Sequence, residues 1–294
     1  MAEQQSGMTG KVCLITGATS GIGEATAQGL ARIDASVVLV GRDAEKCSQI
    51  VERIKRNTGN LSVDFIVADL SSQKDIHQLA GEFRNRHQRL DVLVNNVGAV
   101  FLSRLQSVDG IEMTLALNHL SHFLLTHLLL DLLIASAPAR IINMTSAILK
   151  QSKLNIIDIE YRKGYNGLQA YGQSKLCNLL FTYELAHFLK GTDVTVNALH
   201  PGFVSTNFGK NNVGFLKPLL SLIRIGGISP DKAAETIILL ASSPEMVNTT
   251  GCYFEKGKAT STLEAYDQDA ARLLWKISAH LAGLANLLEN KVDV

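Results

Sequence analysis

A tyrosine and a lysine four residues apart form the first pair in this sequence that could do acid–base chemistry. Tyr171 and Lys175 stand in the segment YGQSK, inside a stretch whose pattern predicts a helix. Residues at this spacing share one helix face. The ordinary pKa of tyrosine, about 10, is too high for an efficient acid–base group at neutral pH, and a neighbouring ammonium group lowers it. The pair alone is weak evidence for catalysis, so its interpretation depends on the residues around it.

Two further polar residues could complete such a site. Ser146 follows a predicted strand in NMTSA, and ligand-binding groups gather at the carboxyl ends of parallel strands. Its hydroxyl could hold a carbonyl or alcohol oxygen, although Thr145 competes for that role and either hydroxyl could simply cap the strand end. Asn118 lies in the apolar helical segment LALNHLSHF, where an amide needs a hydrogen-bond partner. It is either a satisfied core residue or the anchor of a water in a proton relay.

A glycine-rich turn between the first predicted strand and helix predicts an anion site. The segment TGATSGIG places glycines at 17, 21 and 23, and an amphipathic helix follows it. Free N–H groups and the helix dipole point at a pyrophosphate there, and the absence of Cβ atoms allows close approach. The turn therefore favours dinucleotide binding over a purely structural role, although its spacing differs from the more general G-x-G-x-x-G fingerprint.

The end of the second strand favours NADP(H) over NAD(H). An acidic residue at this position would bind the ribose 2′-hydroxyl of NAD, but the strand ends in Gly41 and Arg42, and an arginine accommodates the 2′-phosphate of NADP. Asp43 is either that acidic residue or the N-cap of the next helix. Asp69 and Leu70 close the third strand, where they could line the adenine or begin a helix.

The elements that must position these residues alternate between short apolar runs and helical patterns. We predict strands over 11–16, 36–40, 63–68, 91–96, 140–145 and 194–200, and helices over 22–32, 44–58, 72–86, 110–136 and 168–190. Both faces of the strands are apolar, which is typical of parallel strands covered by helices on both sides. The fold class is therefore α/β, with a doubly wound parallel sheet, in one domain.

Composition excludes several other classes of protein. Of the 294 residues, 46% are hydrophobic and 19% charged, which excludes a disordered chain, and the net charge of +1 offers no attraction for nucleic acid. The scattered cysteines fit a reducing cytosol better than a disulfide framework or a zinc site. The polar start predicts no signal peptide, and the most apolar run, 123–134, is shorter than the roughly 18 residues of a membrane span.

Together these motifs resemble the short-chain dehydrogenase/reductase family over about 10–260. TGATSGIG, NNVG at 95–98, Asn118, Ser146, YGQSK and the turn Pro201-Gly202 follow in the family's order, although Val97 replaces the usual alanine. The resemblance implies a Rossmann fold and a catalytic tetrad. In it Tyr171 is the acid–base, Ser146 polarises the reacting oxygen, Lys175 binds the nicotinamide ribose and lowers the tyrosine pKa, and Asn118 holds a relay water. Cofactor contacts are then expected from Gly17, Thr19, Ser20, Gly21, Ile22, Gly23, Arg42, Asp69, Leu70, Asn95, Gly98, Tyr171, Lys175, Pro201, Gly202, Val204 and Thr206.

A finer resemblance, in segments such as AYGQSKLCNLLFTYELA and VTVNALHPGFVST, is to the NADP-using retinol dehydrogenase branch. It implies hydride transfer between NADP(H) and a small apolar carbonyl or alcohol such as retinal or retinol. A steroid or other ketone reductase is the alternative within the enzyme class, and a non-catalytic NADP-binding regulator is the alternative outside it.

The sequence carries further expectations about segments outside the catalytic motifs. A polar tail over 1–9 precedes the dehydrogenase domain of 10–294, which includes a hydrophobic substrate lid over 205–229 and an amphipathic helix over 269–288. The lid is also a candidate for peripheral membrane contact, with a cytoplasmic location otherwise expected.

The helices over 110–136 and 168–190 are candidates for a homodimer face. His119, His122 and His127 could in principle bind a metal, but the resemblance implies none.

Overall fold

Eight strands form one sheet in the part of the chain that the structure describes. The computed structural model describes residues 7–202, 227–261 and 267–285. The strands are β1 Val12–Thr16, β2 Ser36–Gly41, β3 Val63–Val67, β4 Val92–Asn95, β5 Ala139–Met144, β6 Val194–His200, β7 Tyr253–Glu255 and β8 Lys258–Ser261. Their order is β3-β2-β1-β4-β5-β6-β7-β8. Only the β7–β8 pair is antiparallel. The doubly wound parallel sheet is confirmed, with six strands within one residue of their predicted bounds.

Helices cover both faces of this sheet. They are α1 Gly21–Arg32, α2 Ala44–Thr58, α3 Gln73–Arg86, α4 Met113–Leu115, α5 Ser121–Leu128, α6 Leu130–Ala135, α7 Gly167–Phe188, α8 Pro230–Ser242 and α9 Gln268–Leu281. Strand β1 shows why the strands are apolar throughout. Leu14 belongs to a core cluster that includes α3, α5, α7 and α9, whereas Cys13 and Ile15 belong to the cluster that includes α1, α2 and α8. Both clusters exclude water, so both faces of each central strand need apolar side chains.

The predicted continuous helix over 110–136 is interrupted in the structure. It begins only at Met113, and a π-helical turn, Ala116–Leu120, separates α4 from α5 before α6 completes the segment. Buried Glu112 caps α4 by accepting hydrogen bonds from the N–H groups of Thr114 and Leu115. The π-helical turn contains Asn118, and such turns occur often at functional sites.

The C-terminal helix α9 packs against the long helix α7. Trp275 is 6% exposed, and its ring lies 5.2 Å from the ring of Phe123 and 5.8 Å from that of Phe181. The helix predicted over 269–288 is therefore present as far as Leu281, and residues 286–288 lie outside the described part. Helix α9 therefore contacts both α5 and α7, and the homodimer face expected on these helices stays a prediction.

Met8 is packed against the fold, although it lies in the polar tail predicted over 1–9. Met8 is buried, and its N–H donates to the carbonyl of Ile33 at 2.7 Å, so the packed part of the chain already includes residues of the predicted tail. Within residues 7–202, 227–261 and 267–285, no helix is long and apolar enough to cross a membrane.

Candidate active site

The glycine-rich turn connects β1 to α1 at the carboxyl end of the sheet. Gly17 and Gly21 have φ angles of 64° and 58°, which residues with a Cβ adopt only at a cost. A Cβ on Gly23 would lie 2.5 Å from the carbonyl oxygen of Gly17. The three predicted glycines are thus required by the path of the backbone, and they leave the start of α1 open to a ligand.

The amino end of α1 has the features of an anion site. Ser20 is the N-cap residue, but its side chain accepts no hydrogen bond from the start of the helix. The first backbone N–H groups therefore have no side-chain cap and are available to an anion, among them those of Gly21, Ile22 and Gly23. Thr19 packs against the end of β2, where a Cβ on Gly41 would lie 2.5 Å from its Cγ2. The glycine at 41 therefore lets β2 end close beside the turn.

Asn96 braces this turn, and the sequence reading did not single it out. Its Nδ2 donates to the carbonyl of Thr16 at 2.8 Å, and its own N–H donates to Thr16 Oγ1 at 2.9 Å. The neighbouring Asn95, which was expected to contact the cofactor, is 0% exposed, and its Nδ2 donates to Thr126 and Asn143. The doubled asparagine in NNVG was the available signal, but residue type could not tell which of the two faces the turn.

The end of β2 presents a cation. Arg42 is exposed, and among the described residues no ion pair engages its guanidinium. Asp43 is the N-cap of α2, and its Oδ1 accepts the N–H of Lys46 at 3.0 Å. Asp43 is therefore the helix N-cap, as one of its two interpretations proposed, and its carboxylate is engaged in a structural hydrogen bond.

Asp69 and Leu70 lie at the end of β3, as predicted. The Asp69 carboxylate is exposed and accepts hydrogen bonds from the N–H and the hydroxyl of Ser71 at 2.9 and 2.7 Å, while Leu70 is buried. The N-cap of α3 is Ser72, so Asp69 shapes the turn before the helix but does not cap it.

Tyr171 and Ser146 meet at the carboxyl end of β5. Their side chains share a hydrogen bond, and burial nevertheless raises the pKa of Tyr171 to about 12. The competing hydroxyl of Thr145 instead donates to the carbonyl of Leu199 at 2.9 Å and is 3% exposed. The structure thus selects Ser146 as the tyrosine's partner.

Lys175 lies one turn further along α7, under the same site. It is 3% exposed, its Nζ donates to the carbonyl of Met144 at 3.2 Å, and it lies 5.9 Å from the ring centre of Tyr171. A Cβ on Gly98 would lie 3.0 Å from this Nζ. Burial lowers the pKa of Lys175 to about 7. The expected lowering of the tyrosine pKa by Lys175 stays a prediction.

Asn118, in the π-helical turn, contacts the residue that precedes Lys175. Its Oδ1 accepts the N–H of Ala99 at 2.8 Å, and its Nδ2 donates to the carbonyl of Ala99 at 2.9 Å and to Ser174 Oγ at 3.0 Å. The side chain therefore clamps the segment after NNVG to the turn before Lys175. The backbone carbonyl of Asn118 also accepts a hydrogen bond, from Asn178 Nδ2 at 2.8 Å, and the expected relay water stays a prediction.

The remaining expected contacts follow β6. Pro201 and Gly202 are half-buried directly after the strand, and Gly202 has a φ of 91°. Val204, Thr206 and the expected lid up to residue 226 lie outside the described residues.

Comparison of this chain with known proteins identifies the family to which it belongs. The family model for short chain dehydrogenases matches residues 11–214. The chain is a member of the short-chain dehydrogenase family. Human retinol dehydrogenase 14 is 40% identical over 94% of this chain and 88% of its own length. Human retinol dehydrogenase 13 is 41% identical over 94% and 85%, and human polyprenol dehydrogenase 36% identical over 94% and 86%.

Solved structures agree with this membership. A putative uncharacterized protein from Mycobacterium paratuberculosis has a TM-score of 0.76 at 27% identity, covering 95% of this chain and 96% of that one. The RhlG/NADP active-site complex from Pseudomonas aeruginosa has a TM-score of 0.67 at 32% identity, covering 84% and 95%. The Rossmann fold and the retinol dehydrogenase-like character expected from the sequence are therefore confirmed, and so is an oxidoreductase that acts on alcohols or carbonyls.

Proposed function

We propose that this protein is an NADP(H)-dependent oxidoreductase that transfers a hydride between nicotinamide and an apolar carbonyl or alcohol, with retinal and retinol as the leading pair. The observation that carries the proposal is the hydrogen-bonded pair of Tyr171 and Ser146 at the carboxyl end of β5, with the ammonium group of Lys175 buried beneath it. These three groups lie where open parallel sheets bind ligands.

The described residues fit a dinucleotide. The uncapped start of α1 suits a pyrophosphate, because Gly17, Gly21 and Gly23 bring backbone N–H groups close without Cβ atoms. The exposed guanidinium of Arg42 suits a 2′-phosphate, and Asp43 is engaged as a helix cap. This division of tasks supports NADP(H) over NAD(H).

The chain's own residues supply proton transfer and orientation. The cofactor, when bound, supplies or accepts the hydride. Tyr171 gives its phenolic proton to the carbonyl oxygen in reduction and takes it back in oxidation. Ser146 donates a hydrogen bond to that same oxygen and holds it beside the tyrosine. Lys175 stabilises the phenolate that remains, because a positive charge close to the ring favours the charged form.

The substrate class rests on the relatives. Two of these relatives are named for retinol and for polyprenol, which are both isoprenoid primary alcohols. The proposed substrate here is therefore a long apolar alcohol or the matching aldehyde. A steroid or other ketone is the alternative carbonyl. Arg42→Ala separates the cofactor assignment from the substrate assignment, because Arg42 follows β2, whereas Tyr171 and Ser146 meet at the end of β5.

The experiment is a panel of apolar aldehydes and ketones, with NADPH absorbance as the readout and Tyr171→Phe as the test variant. We expect wild-type turnover with at least one isoprenoid aldehyde, and a loss of about 100-fold or more in the variant, the scale of general acid–base catalysis. Tyr161→Phe, in the segment before α7, is the matched control and should retain turnover. Undiminished turnover by Tyr171→Phe would refute the catalytic assignment. NADPH binding without turnover on any carbonyl would favour the non-catalytic regulator.

A further inference from the structure

Two buried histidines near the candidate site have no part in the chemistry above. His119, in the π-helical turn, and His122, in α5, are 0% and 1% exposed. Both contact Asn178 of α7: His119 Nδ1 lies 3.1 Å from Asn178 Oδ1, and His122 Nδ1 lies 3.1 Å from Asn178 Nδ2. Within the described ranges, no group of three or more histidine, cysteine or acidic side chains could hold a metal ion. The hydrogen bonds of both rings meet at the single amide of Asn178.

The orientation of the Asn178 amide follows from its backbone neighbours. Its Nδ2 lies 2.8 Å from the carbonyl oxygen of Asn118 and 3.1 Å from that of Met144. A carbonyl oxygen only accepts hydrogen bonds, so the amide nitrogen must face both, and a flipped amide would place oxygen against oxygen. Asn178 therefore joins the π-helical turn to the end of β5.

The same argument assigns the protons on both imidazole rings. Asn178 Oδ1 only accepts, so His119 Nδ1 carries the proton, and His119 Nε2 accepts from the hydroxyl of Ser278 in α9 at 2.8 Å. His122 Nε2 lies 3.0 Å from the carbonyl of Val97 and carries the proton there, so its Nδ1 is an acceptor facing Asn178 Nδ2. The two hydrogens of that amide nitrogen are then shared among three acceptors, of which the carbonyl of Asn118 is nearest at 2.8 Å. Burial lowers the pKa of His119 to about 4 and that of His122 well below its ordinary value, in agreement with two neutral rings.

This network holds backbone groups of the proposed catalytic machinery. The carbonyl of Met144, to which Asn178 donates, is also the acceptor for Lys175 Nζ. The carbonyl of Asn118 belongs to the residue whose side chain clamps Ala99. Without the amide of Asn178, both carbonyls would lose a buried donor.

We propose that Asn178 is a positioning residue, which fixes the carbonyls of Asn118 and Met144 and thereby the ammonium group of Lys175. His119, held by Ser278 of the C-terminal helix, keeps the Asn178 amide in this orientation. The proposal rests on the proposed function, because it assigns a purpose to the placement of Lys175. It also gives α9 a direct connection to the site, although this helix lies beyond the part matched by the family model.

The first test needs no turnover. Nitrogen-15 spectra of the histidine rings should show a neutral His119 with the proton on Nδ1 and a neutral His122 with the proton on Nε2. In Asn178→Leu the Nδ1–H signature of His119 should be lost. The titration midpoint of Lys175, measured on lysine labelled at Cε, should fall further, because the ammonium loses a fixed acceptor. An opposite tautomer of His119, or an unchanged Lys175 midpoint in the variant, would overturn the proposal.

The second test separates positioning from stability. Asn178→Leu should lower kcat by about 10- to 100-fold with little change in KM, the scale of a misplaced catalytic group. Cys177→Ala is the matched control, because Cys177 is the preceding residue of α7, is 0% exposed and packs in a separate apolar cluster. It should lose stability but keep kcat within about twofold. If Asn178→Leu keeps kcat as well as the control does, the proposal is wrong.

Ser278→Ala provides a milder variant should Asn178→Leu fail to fold. It removes only the hydroxyl that donates to His119, so kcat should fall by about two- to fivefold, less than a lost direct contact would cause. An unchanged kcat in Ser278→Ala would refute the part played by α9. Absence of turnover in the wild type would instead count against the proposed function. The histidine and lysine spectra, which need no turnover, would still test whether Asn178 positions Lys175.

Discussion

Replacing Lys175 with methionine should stabilise the protein while it removes the proposed chemistry. The side chain is 3% exposed, and within the described residues no carboxylate forms an ion pair with its ammonium group. Burial lowers the pKa of Lys175 from its ordinary value of 10.5 to about 7. The surroundings of Lys175 therefore disfavour its charged form and lower the free energy of unfolding, as is often found at functional sites.

The magnitude follows from the two pKa values. At about 1.4 kcal/mol for each pKa unit, the difference between folded and unfolded states corresponds to at most about 5 kcal/mol. The hydrogen bond to the carbonyl of Met144, worth about 1 kcal/mol, is lost in the variant and offsets part of this gain. We therefore expect Lys175→Met to raise the free energy of unfolding by about 3 kcal/mol at pH 7.

The pH dependence gives the prediction its sign. Between pH 7 and pH 10.5, the unfolded wild type binds a proton on this lysine that the folded protein does not. The free energy of unfolding of the wild type therefore rises with pH across that window, and the full penalty applies below pH 7. The advantage of the methionine variant should shrink by about 2 kcal/mol between pH 7 and pH 9.

Denaturant unfolding of nucleotide-free protein at several pH values measures this difference. Lys150→Met is the matched control, because Lys150 is half-exposed and pairs with Glu255 at 2.6 Å. A surface pair of this kind is worth about 1 kcal/mol or less. A Lys175→Met variant that is no more stable than the wild type at pH 7, or whose advantage does not change with pH, would refute the reasoning.

Three further predictions address the cofactor, the site and the core. Arg42→Ala should raise KM for NADPH by about tenfold in steady-state kinetics, because a charge-assisted contact is lost, and should leave KM for NADH nearly unchanged; equal losses would contradict NADP(H) selectivity. Gly98→Ala should lower kcat by about tenfold with little loss of stability, because its Cβ would lie 3.0 Å from Lys175 Nζ. Trp275→Ala should lower the free energy of unfolding by about 3–5 kcal/mol in a denaturant titration, and Leu273→Ala, at an exposed position of the same helix, by less than about 1 kcal/mol.

The sheet and most of the flanking helices could be predicted because their signals are local. Helix α2 runs over the predicted residues, since Asp43 caps its start and Gly59, with a φ of 75°, ends it. The short strands β7 and β8 were not predicted, because they consist of few residues around a turn and gain their stability from pairing with each other and with β6.

The interruption of the helix over 110–136 and the role of Asn178 depend on distant contacts. No glycine or proline marks the π-helical turn; instead, Asn118 bonds to Ala99, which is 19 residues away along the chain. Asn178 donates to carbonyls that are 60 and 34 residues distant in sequence. Residue type identifies both as amides in apolar helices that need partners, but only the fold determines which partners they have.

The transfer of the hydride itself tests the central claim most directly. The protein is incubated with an isoprenoid aldehyde and NADPH that carries deuterium on the reactive face of nicotinamide C4, and the product is analysed by mass spectrometry. The proposed function predicts an alcohol with one deuterium bound to the former carbonyl carbon, formed by the wild type and lost with Tyr171→Phe. An alcohol that contains no deuterium from either face of the cofactor, or equal amounts of labelled alcohol from both proteins, would contradict it.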